Sequence, residues 1–206
     1  MEDHVMTPSP TVKVIVAGLG GQGVIFLARL LAKTAITQGY PVMVSETHGM
    51  SQRGGSVISH FKIGSSQAPL IRRGTADLLL ALDPTEAIRN LPFLRPGAAL
   101  FVNSETCAER SRSNGLPAEV TTLLRQLDIE VHCLAASRMA TEIGSVGIAN
   151  VIMAGFAVAG FAATRPALFL SIGAVRQTIA SMALRGRDLN LKALEAGFQA
   201  AQVTQV

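Results

Sequence analysis

This sequence predicts an α/β fold, in which helices flank a Rossmann-like, mostly parallel sheet and form a further layer at the C-terminal end. One observation is a strand, a glycine loop, a helix and a second strand that follow one another over residues 12–45. Another is the alternation of short apolar runs with longer helical segments up to about residue 135. Beyond that point the pattern is helical only. We therefore expect a single domain over residues 1–206, with an α/β core over 11–135 and a helical layer over 136–206.

The opening unit combines a buried strand with a loop of the phosphate-binding type. Residues 12–17 are a β-branched apolar run, typical of a buried parallel strand, and they lead directly into a glycine-rich loop over residues 18–23. A helix is expected from near Gln22 to about Gln38, and Gly39 is expected to end it. Such a loop at a helix N-terminus favours an anionic guest, because backbone N–H groups and the helix dipole point towards it.

The rest of the α/β core repeats this alternation. Further strands are expected over residues 41–45, 56–63, 76–82, 98–102 and 129–134, which gives about six in all. The strand over 56–63 alternates polar and apolar residues, so we expect it at or near a sheet edge with one wetter face. Helices are expected over residues 84–91, 118–127, 137–143, 146–163, 166–184 and 188–202, and Pro96 with Gly97 predicts a turn.

Residues 146–163 form an apolar segment of small residues in which Asn150 is the only strongly polar side chain. Hydropathy alone is compatible with a membrane span here. The segment is short and interrupted by glycines, so a helix buried in the domain or at a subunit interface is the preferred interpretation, and we expect no membrane attachment. The same apolar stretch predicts that the isolated chain self-associates or binds a partner.

Composition narrows the class of protein. A net charge of +4 is combined with no Trp, one Tyr and no long run of Lys and Arg, so the sequence does not favour nucleic-acid binding. Cys107 and Cys133 lack the spacing of a cluster site, so no metal site is expected in this chain and any iron–sulfur cluster is expected in another. Free thiols, and a polar beginning without an apolar core segment, predict a cytoplasmic protein.

The glycine loop by itself leaves two further interpretations open. Gly18, Gly20 and Gly23 match the dinucleotide fingerprint, and Glu46 follows at the end of the second strand, where a ribose-binding acid belongs. An NAD(P)-binding Rossmann protein is therefore one alternative. The other is a purely structural loop, because strand–helix units often need glycines for close packing alone.

The loop after the second strand carries the more informative side chains. It places an imidazole, an amide, a guanidinium and hydroxyls among glycines, with no apolar period. Because ligands bind outside the carboxyl ends of strands in open α/β sheets, the two loops are expected side by side on one rim. The candidate binding residues of this second loop are Glu46, His48, Ser51, Gln52, Arg53, Gly54 and Gly55.

Two segments together resemble a known family. Ala17-Gly-Leu-Gly-Gly-Gln-Gly-Val24, followed by Ser45-Glu-Thr-His-Gly-Met-Ser-Gln-Arg-Gly-Gly-Ser56, is similar to the gamma-type subunit or domain of 2-oxoacid:ferredoxin oxidoreductases. Within that group the chain most resembles the beta subunit of indolepyruvate:ferredoxin oxidoreductase. The resemblance covers the α/β domain from about residue 11 to about residue 160.

The resemblance implies a subunit that is inactive alone and works in a hetero-oligomer. Thiamine diphosphate and [4Fe–4S] clusters would belong to a large partner subunit, where an aryl 2-oxoacid such as indolepyruvate would be decarboxylated. Two electrons would pass through the clusters to ferredoxin, and coenzyme A would take the acyl group. The chain itself would carry no catalytic residue.

The resemblance also assigns roles to the candidate residues. Arg53 would supply a charge-assisted contact to an anionic ligand. The glycine loop would approach the phosphate and pantetheine region of coenzyme A with Gly18, Gly20, Gly21, Gln22 and Gly23. A scaffold subunit that only supports the thiamine site is the remaining alternative.

Overall fold

The computed structural model describes residues 11–48, 54–66, 68–105, 116–164, 170–182 and 186–204. These residues form a six-stranded sheet with helices on both faces. The strands are β1 (Val12–Leu19), β2 (Val42–His48), β3 (Ser56–Ile63), β4 (Ala76–Ala81), β5 (Leu94–Asn103) and β6 (Glu130–Leu134). The α-helices are α1 (Val24–Thr37), α2 (Pro84–Asn90), α3 (Ala118–Gln126), α4 (Ala136–Ile143), α5 (Ala149–Thr164), α6 (Ile172–Ser181) and α7 (Arg187–Thr204).

The strand order is β2-β3-β1-β4-β5-β6, and the sheet is mostly parallel as predicted. β1, β4, β5 and β6 pair in parallel. β3 is antiparallel to both of its neighbours, β1 and β2. It therefore separates β1 from β2 by two strand spacings, roughly 9.5 Å.

Side chains of β1 divide the core into two layers, because they alternate across the sheet. Val14 and Val16 face the layer that contains α1 and α4 to α7, whereas Ile15 and Ala17 face the layer that contains α2 and α3. All four side chains are fully buried. The result is a three-layer α/β fold, which confirms the predicted fold class.

The first helix ends as the sequence predicts but begins later. Gly23 is its N-cap residue, in the left-handed conformation with φ of 82°, and the helix runs from Val24 to Thr37. At its C-terminal end Gly39 also has a φ of 82°. The Tyr40 N–H donates to the Ala35 carbonyl at 3.0 Å, which completes the hydrogen-bonded end that such a glycine allows.

α5 is the apolar helix of small residues, and it is buried inside the fold. The segment Val146–Ala163 is long and apolar enough to cross a membrane, but 67% of it is buried within the protein. α7 lies against it at short range: a Cβ added to Gly155 would overlap the Leu194 carbonyl, and one added to Gly197 would overlap that of Ile152. The interpretation as a buried helix is confirmed. Because α7 already covers this surface of α5, the apolar helix does not support the expected self-association.

β3 differs from the prediction in its burial. Its polar residues Ser59, His60 and Lys62 are 0%, 5% and 6% exposed, so the expected wetter face is wrong. The reason is that β3 lies between β2 and β1, with the following segment folded over it. The Lys62 amine donates to the Ala68 carbonyl at 2.5 Å, and the Ile71 N–H donates to Nδ1 of His60 at 3.1 Å.

Two smaller differences concern element boundaries. The turn expected at Pro96 and Gly97 lies within β5, where the register with β4 shifts, so these residues form an irregularity of the strand. The helix expected over 166–184 is shorter in the described part of the chain, where α6 spans Ile172–Ser181. Residues 165–169 and 183–185 lie outside the described residues.

Candidate functional site

A cleft of about 380 Å³ lies at the carboxyl ends of the central strands. One wall is the glycine loop that joins β1 to α1, together with Gly54 from the end of the second loop. The opposite wall comes from the 3-10 turn Val146–Ile148 and the start of α5. Leu82 and Asn103, which follow β4 and end β5, contribute the floor. This is the position at which open α/β sheets bind ligands.

The glycine loop and the end of the second loop are in direct contact. The Gly20 N–H donates to the Gly55 carbonyl at 2.8 Å, and a Cβ added to Gly20 would lie 3.4 Å from the Gly54 nitrogen. The prediction that these loops lie side by side is therefore confirmed for the residues described. Ser51, Gln52 and Arg53 lie outside the described residues, and of His48 the structure describes the backbone as the last residue of β2.

Several backbone N–H groups of the glycine loop already donate hydrogen bonds within the protein. The Leu19 N–H donates to Oε1 of Gln22 at 2.7 Å, and the Gln22 N–H donates to the Leu19 carbonyl at 3.1 Å. With the bond from Gly20 to Gly55, three N–H groups are used inside the protein. The side chain of Gln22 thus holds the loop in shape. Gly18 lies behind it, where an added Cβ would meet Oε1 of Gln22 at 2.8 Å.

Asn150 of α5 packs against the last residue of the glycine loop, Gly23, where α1 begins. Its Nδ2 lies 3.4 Å from the Gly23 carbonyl, and a Cβ added to Gly23 would overlap that amide group. Asn150 is only 6% exposed. Glycine is therefore required at position 23 both by the left-handed φ and by the side chain packed against it.

A buried network of polar groups forms the floor of the cleft. Nδ2 of Asn103 donates to the Ser137 hydroxyl at 2.9 Å and to the Leu82 carbonyl at 3.3 Å, and the Ser137 hydroxyl donates to the Glu105 carbonyl at 3.0 Å. Asn103 is 3% exposed. The sequence analysis did not select Asn103, Ser137 or Asn150 as site residues. The available signals were a polar residue ending an apolar strand and a lone amide in an apolar helix.

Glu86 of α2 anchors the end of the second loop. Its carboxylate is fully buried and accepts hydrogen bonds from the Ser56 hydroxyl and from the Arg89 guanidinium, each at 2.5 Å. Ser56 is the first residue of β3, directly after Gly55. The buried carboxylate therefore fixes the point at which the second loop enters the sheet.

Glu46 is not brought to the cleft. It pairs with Ser59 in the middle of the β2–β3 ladder, and its carboxylate lies 3.7 Å from Nε of Arg29 on α1. In a dinucleotide-binding fold the acidic residue ends the strand next to β1, but here β3 occupies that place. The structure therefore does not offer the acid–ribose geometry that an NAD(P) site needs.

Among the described residues, the side chains that line the cleft are apolar groups, amides and a hydroxyl. No group of three or more His, Cys, Asp or Glu side chains in the described part of the chain is placed to hold a metal ion. Burial lowers the pKa of His60, with Lys62 adding to the effect, and burial also lowers the pKa of His132 against an opposing influence of Glu130. Neither histidine lines the cleft. Cys133 is free and exposed, and Cys107 lies outside the described residues.

Comparison with protein families and curated sequences finds consistent relatives. Residues 13–200 match the family described as pyruvate ferredoxin/flavodoxin oxidoreductase. The indolepyruvate oxidoreductase subunit IorB of Archaeoglobus fulgidus is 36% identical over 193 residues, covering 91% of this chain and 94% of the relative. IorB of Pyrococcus horikoshii is 33% identical over 198 residues, with coverages of 92% and 95%.

Solved structures of low sequence identity share the fold. The gamma subunit of a keto/oxoacid ferredoxin oxidoreductase from Geobacter sulfurreducens superposes with a TM-score of 0.68 at 23% identity, over 93% of this chain and 99% of that one. The 2-oxoglutarate:ferredoxin oxidoreductase of Magnetococcus marinus gives a TM-score of 0.71 at 18% identity. The superposed region covers 95% of this chain and 32% of the longer Magnetococcus chain.

Proposed function

Because the chain belongs to the pyruvate ferredoxin/flavodoxin oxidoreductase family, we propose that it is the small subunit of a thiamine-diphosphate-dependent 2-oxoacid:ferredoxin oxidoreductase. In this proposal a large partner subunit carries the thiamine diphosphate and the [4Fe–4S] clusters. The reaction releases CO2 from the 2-oxoacid, joins the acyl group to the thiol of coenzyme A and passes two electrons to ferredoxin. The chain covers the active site of its partner and helps to seat coenzyme A.

The cleft beside the glycine loop is the observation that carries this role. It is formed where β1, β4 and β5 end, and the contact between Gly20 and Gly55 closes one of its walls. The described lining residues include primary amides and a hydroxyl but no general base or nucleophile–base pair. Such a surface supports ligand seating, while the bond-breaking chemistry is supplied by the cofactor of the partner.

An aryl 2-oxoacid is the proposed substrate. The support is the similarity to two indolepyruvate oxidoreductase subunits along more than nine-tenths of this chain. Indolepyruvate and phenylpyruvate are the compounds to test first, with ferredoxin as electron acceptor. The same proposal includes a cytoplasmic location, and the use of coenzyme A and ferredoxin in the proposed reaction supports it.

The NAD(P) alternative and the scaffold alternative no longer have equal support. The NAD(P) alternative requires Glu46 at a ribose, but Glu46 lies on the outer strand β2 and pairs with Arg29 of α1. The scaffold alternative, in which the chain only supports the thiamine site, differs from our proposal in the behaviour of coenzyme A. Tests of the proposal therefore have to measure coenzyme A and 2-oxoacid separately.

Reconstitution with the large subunit tests the proposed function. The chain and its partner are co-expressed without oxygen, and reduction of ferredoxin is followed with indolepyruvate, phenylpyruvate, pyruvate or 2-oxoglutarate, each with and without coenzyme A. We expect the aryl 2-oxoacids to give the highest kcat/KM and a matching amount of acyl-CoA. Equal or better turnover of pyruvate or 2-oxoglutarate would contradict the aryl assignment. Thioester formation by the partner alone at the full rate would contradict a role in seating coenzyme A.

A further inference from the structure

A patch of cationic and apolar side chains lies at the rim of the sheet opposite to the cleft. It is built on residues 64–75, which connect β3 to β4, and on the 3-10 turn Leu91–Phe93, which precedes β5. Because β3 is antiparallel to β1 while β4 and β5 run parallel to it, these connections meet at the amino end of β1. The rim patch comprises Lys13, Leu70, Arg72, Arg73, Pro92 and Phe93.

The segment that carries Leu70 is held in place although it forms no helix or strand. Its backbone is bonded to side chains of β3 through the Ala68 carbonyl and the Ile71 N–H. Near its end the Gly74 N–H donates to the Pro92 carbonyl at 2.9 Å, which joins the segment to the 3-10 turn. A surface that is already ordered loses little conformational freedom when a partner binds. The rim patch is therefore prepared for association.

This arrangement holds Leu70 out in the solvent. Its side chain is 57% exposed, whereas that of the next residue, Ile71, is 3% exposed and packs in the core. Pro92 of the bonded turn is also exposed, and Phe93 is partly buried, with its ring 5.4 Å from that of His60 in an edge-to-face contact. Exposed apolar side chains that are edged by polar groups mark sites of protein association. Leu70 thus offers a partner an apolar side chain on a fixed backbone.

The rim patch also concentrates positive charge. Lys13 lies opposite Lys62 in the β1–β3 ladder, so both amines are on the same face of the sheet. Burial lowers the pKa of Lys62, and the charges of Lys13 and Arg72 lower it further, so these three cations lie close to one another. Asp77 of β4 is engaged by Arg95, whose Nε lies 2.7 Å from the carboxylate. The surface around Leu70 therefore favours an acidic partner.

We propose that the rim patch docks the large partner subunit of the oxidoreductase complex, on a surface where carboxylates surround an apolar pocket for Leu70. The inference rests on the proposed function, which supplies that partner. A second copy of this chain does not fit, because two rim patches that face each other would bring like charges together. β1 is eight residues long, roughly 26 Å, so the rim patch and the cleft are separate contacts. Docking at the rim patch strengthens assembly without contacting coenzyme A.

Two substitutions separate the apolar part of the rim patch from its charged part. Leu70→Ser removes the apolar contact and Arg72→Glu reverses a charge, and both side chains are exposed, so both variants should fold. The matched controls are Ile36→Ser and Lys33→Glu, at exposed positions of α1 on the other face of the sheet. Fluorescence anisotropy with a labelled large subunit gives the Kd of each full-length chain at low and at high salt.

For Leu70→Ser we expect the Kd to rise by about tenfold or more at both salt concentrations, because the lost contact is apolar. For Arg72→Glu we expect a rise of about tenfold at low salt that shrinks at high salt, since salt screens the charges. Both control variants should bind the large subunit as the wild type does. With the large subunit in excess, the KM for coenzyme A should keep its wild-type value in all four variants.

Wild-type Kd values for both rim-patch variants would overturn the inference and leave the proposed function intact. Self-association of the chain alone that Leu70→Ser abolishes would assign the rim patch to a second copy. A raised KM for ferredoxin with unchanged assembly would assign it to ferredoxin instead, and either result would contradict docking of the large subunit. If the wild-type chain forms no complex with the large subunit, the inference and the proposed function fail together.

Discussion

At the scale of single residues, the sequence predicts that Arg53 contacts an anionic ligand. In the sequence it lies between Gln52 and two glycines, and neighbours without side chains predict no packing role for a long cation. If it contacts a phosphate or carboxylate, Arg53→Ala removes roughly 1.5–3 kcal/mol, which corresponds to about a ten- to hundredfold change. We predict a higher KM for coenzyme A or 2-oxoacid in the reconstituted complex, with only partial recovery in Arg53→Lys.

Arg73 supplies the control for that measurement. It is an exposed arginine on the segment that follows β3. Because β3 runs antiparallel to β1, this segment lies at the amino end of β1, on the side of the sheet away from the cleft. Arg73→Ala should leave both KM values unchanged. Wild-type KM values for both substrates in an Arg53→Ala complex that assembles normally would show that this arginine contacts no substrate.

His60 predicts a dependence of stability on pH. Its Nδ1 accepts the Ile71 N–H, and burial together with Lys62 lowers its pKa below the ordinary 6.5. The unfolded chain therefore binds a proton at a higher pH than the folded chain does. The contribution of the neutral imidazole is fully present above about pH 6.5 and is lost as pH falls below that value, by at most about 1.4 kcal/mol per pH unit.

His60→Asn isolates this effect, because the amide oxygen replaces Nδ1 as the acceptor but does not titrate. Urea unfolding of the isolated chain at a series of pH values between about 7.5 and 5 should give a shallower loss of stability for the variant than for the wild type. The remaining slope includes His132, whose pKa is also lowered. Identical slopes for the two proteins would contradict the account of His60.

At the scale of secondary-structure elements, the packing of α5 against α7 depends on Gly155 and Gly197. A Cβ at position 197 would overlap the Ile152 carbonyl, whereas one at Gly173 of α6 meets open space. We predict that Gly197→Ala lowers the free energy of unfolding by about 1–3 kcal/mol, because backbone must move apart. Gly173→Ala should raise it by about 0.4–1 kcal/mol, because alanine lowers the conformational entropy of the unfolded chain. Equal effects in urea unfolding would contradict this packing.

The elements themselves were largely predictable, since each depends on local pattern. Apolar runs gave the six strands, and the boundaries of β3 agree with residues 56–63. The insertion of β3 between β2 and β1 was not predictable, because antiparallel pairing of distant segments leaves no local signal. That insertion explains both the burial of Lys62 and the removal of Glu46 from the cleft.

The candidate site was predictable only in part, for the same reason. The glycine loop and Gly54 could be found from spacing and from the expected common rim. Asn103, Ser137 and Asn150 come from segments far apart in the sequence, and only the fold brings them to one cleft. The occupied N–H groups of Leu19, Gly20 and Gln22 are invisible in a motif, which records the glycines and not where their hydrogen bonds go.

At the scale of the whole molecule, the fold of this chain recurs in oxidoreductase chains of different length. It matches about a third of one longer oxidoreductase chain and nearly all of a gamma subunit. We predict that the purified chain alone binds neither thiamine diphosphate nor an iron–sulfur cluster. Calorimetric titration with thiamine diphosphate and a visible absorption spectrum of protein prepared without oxygen check this. A charge-transfer band of thiolate-bound iron would contradict the assignment of the clusters to the partner.

The central claim is that this chain helps the complex to hold coenzyme A. Equilibrium dialysis with labelled coenzyme A, on the large subunit alone and on the assembled complex at the same concentration, measures it most directly. We predict that the complex binds coenzyme A at least about tenfold more tightly than the large subunit alone, a difference of about 1.4 kcal/mol. Equal affinity in the two preparations would contradict the claim and leave the chain as a scaffold.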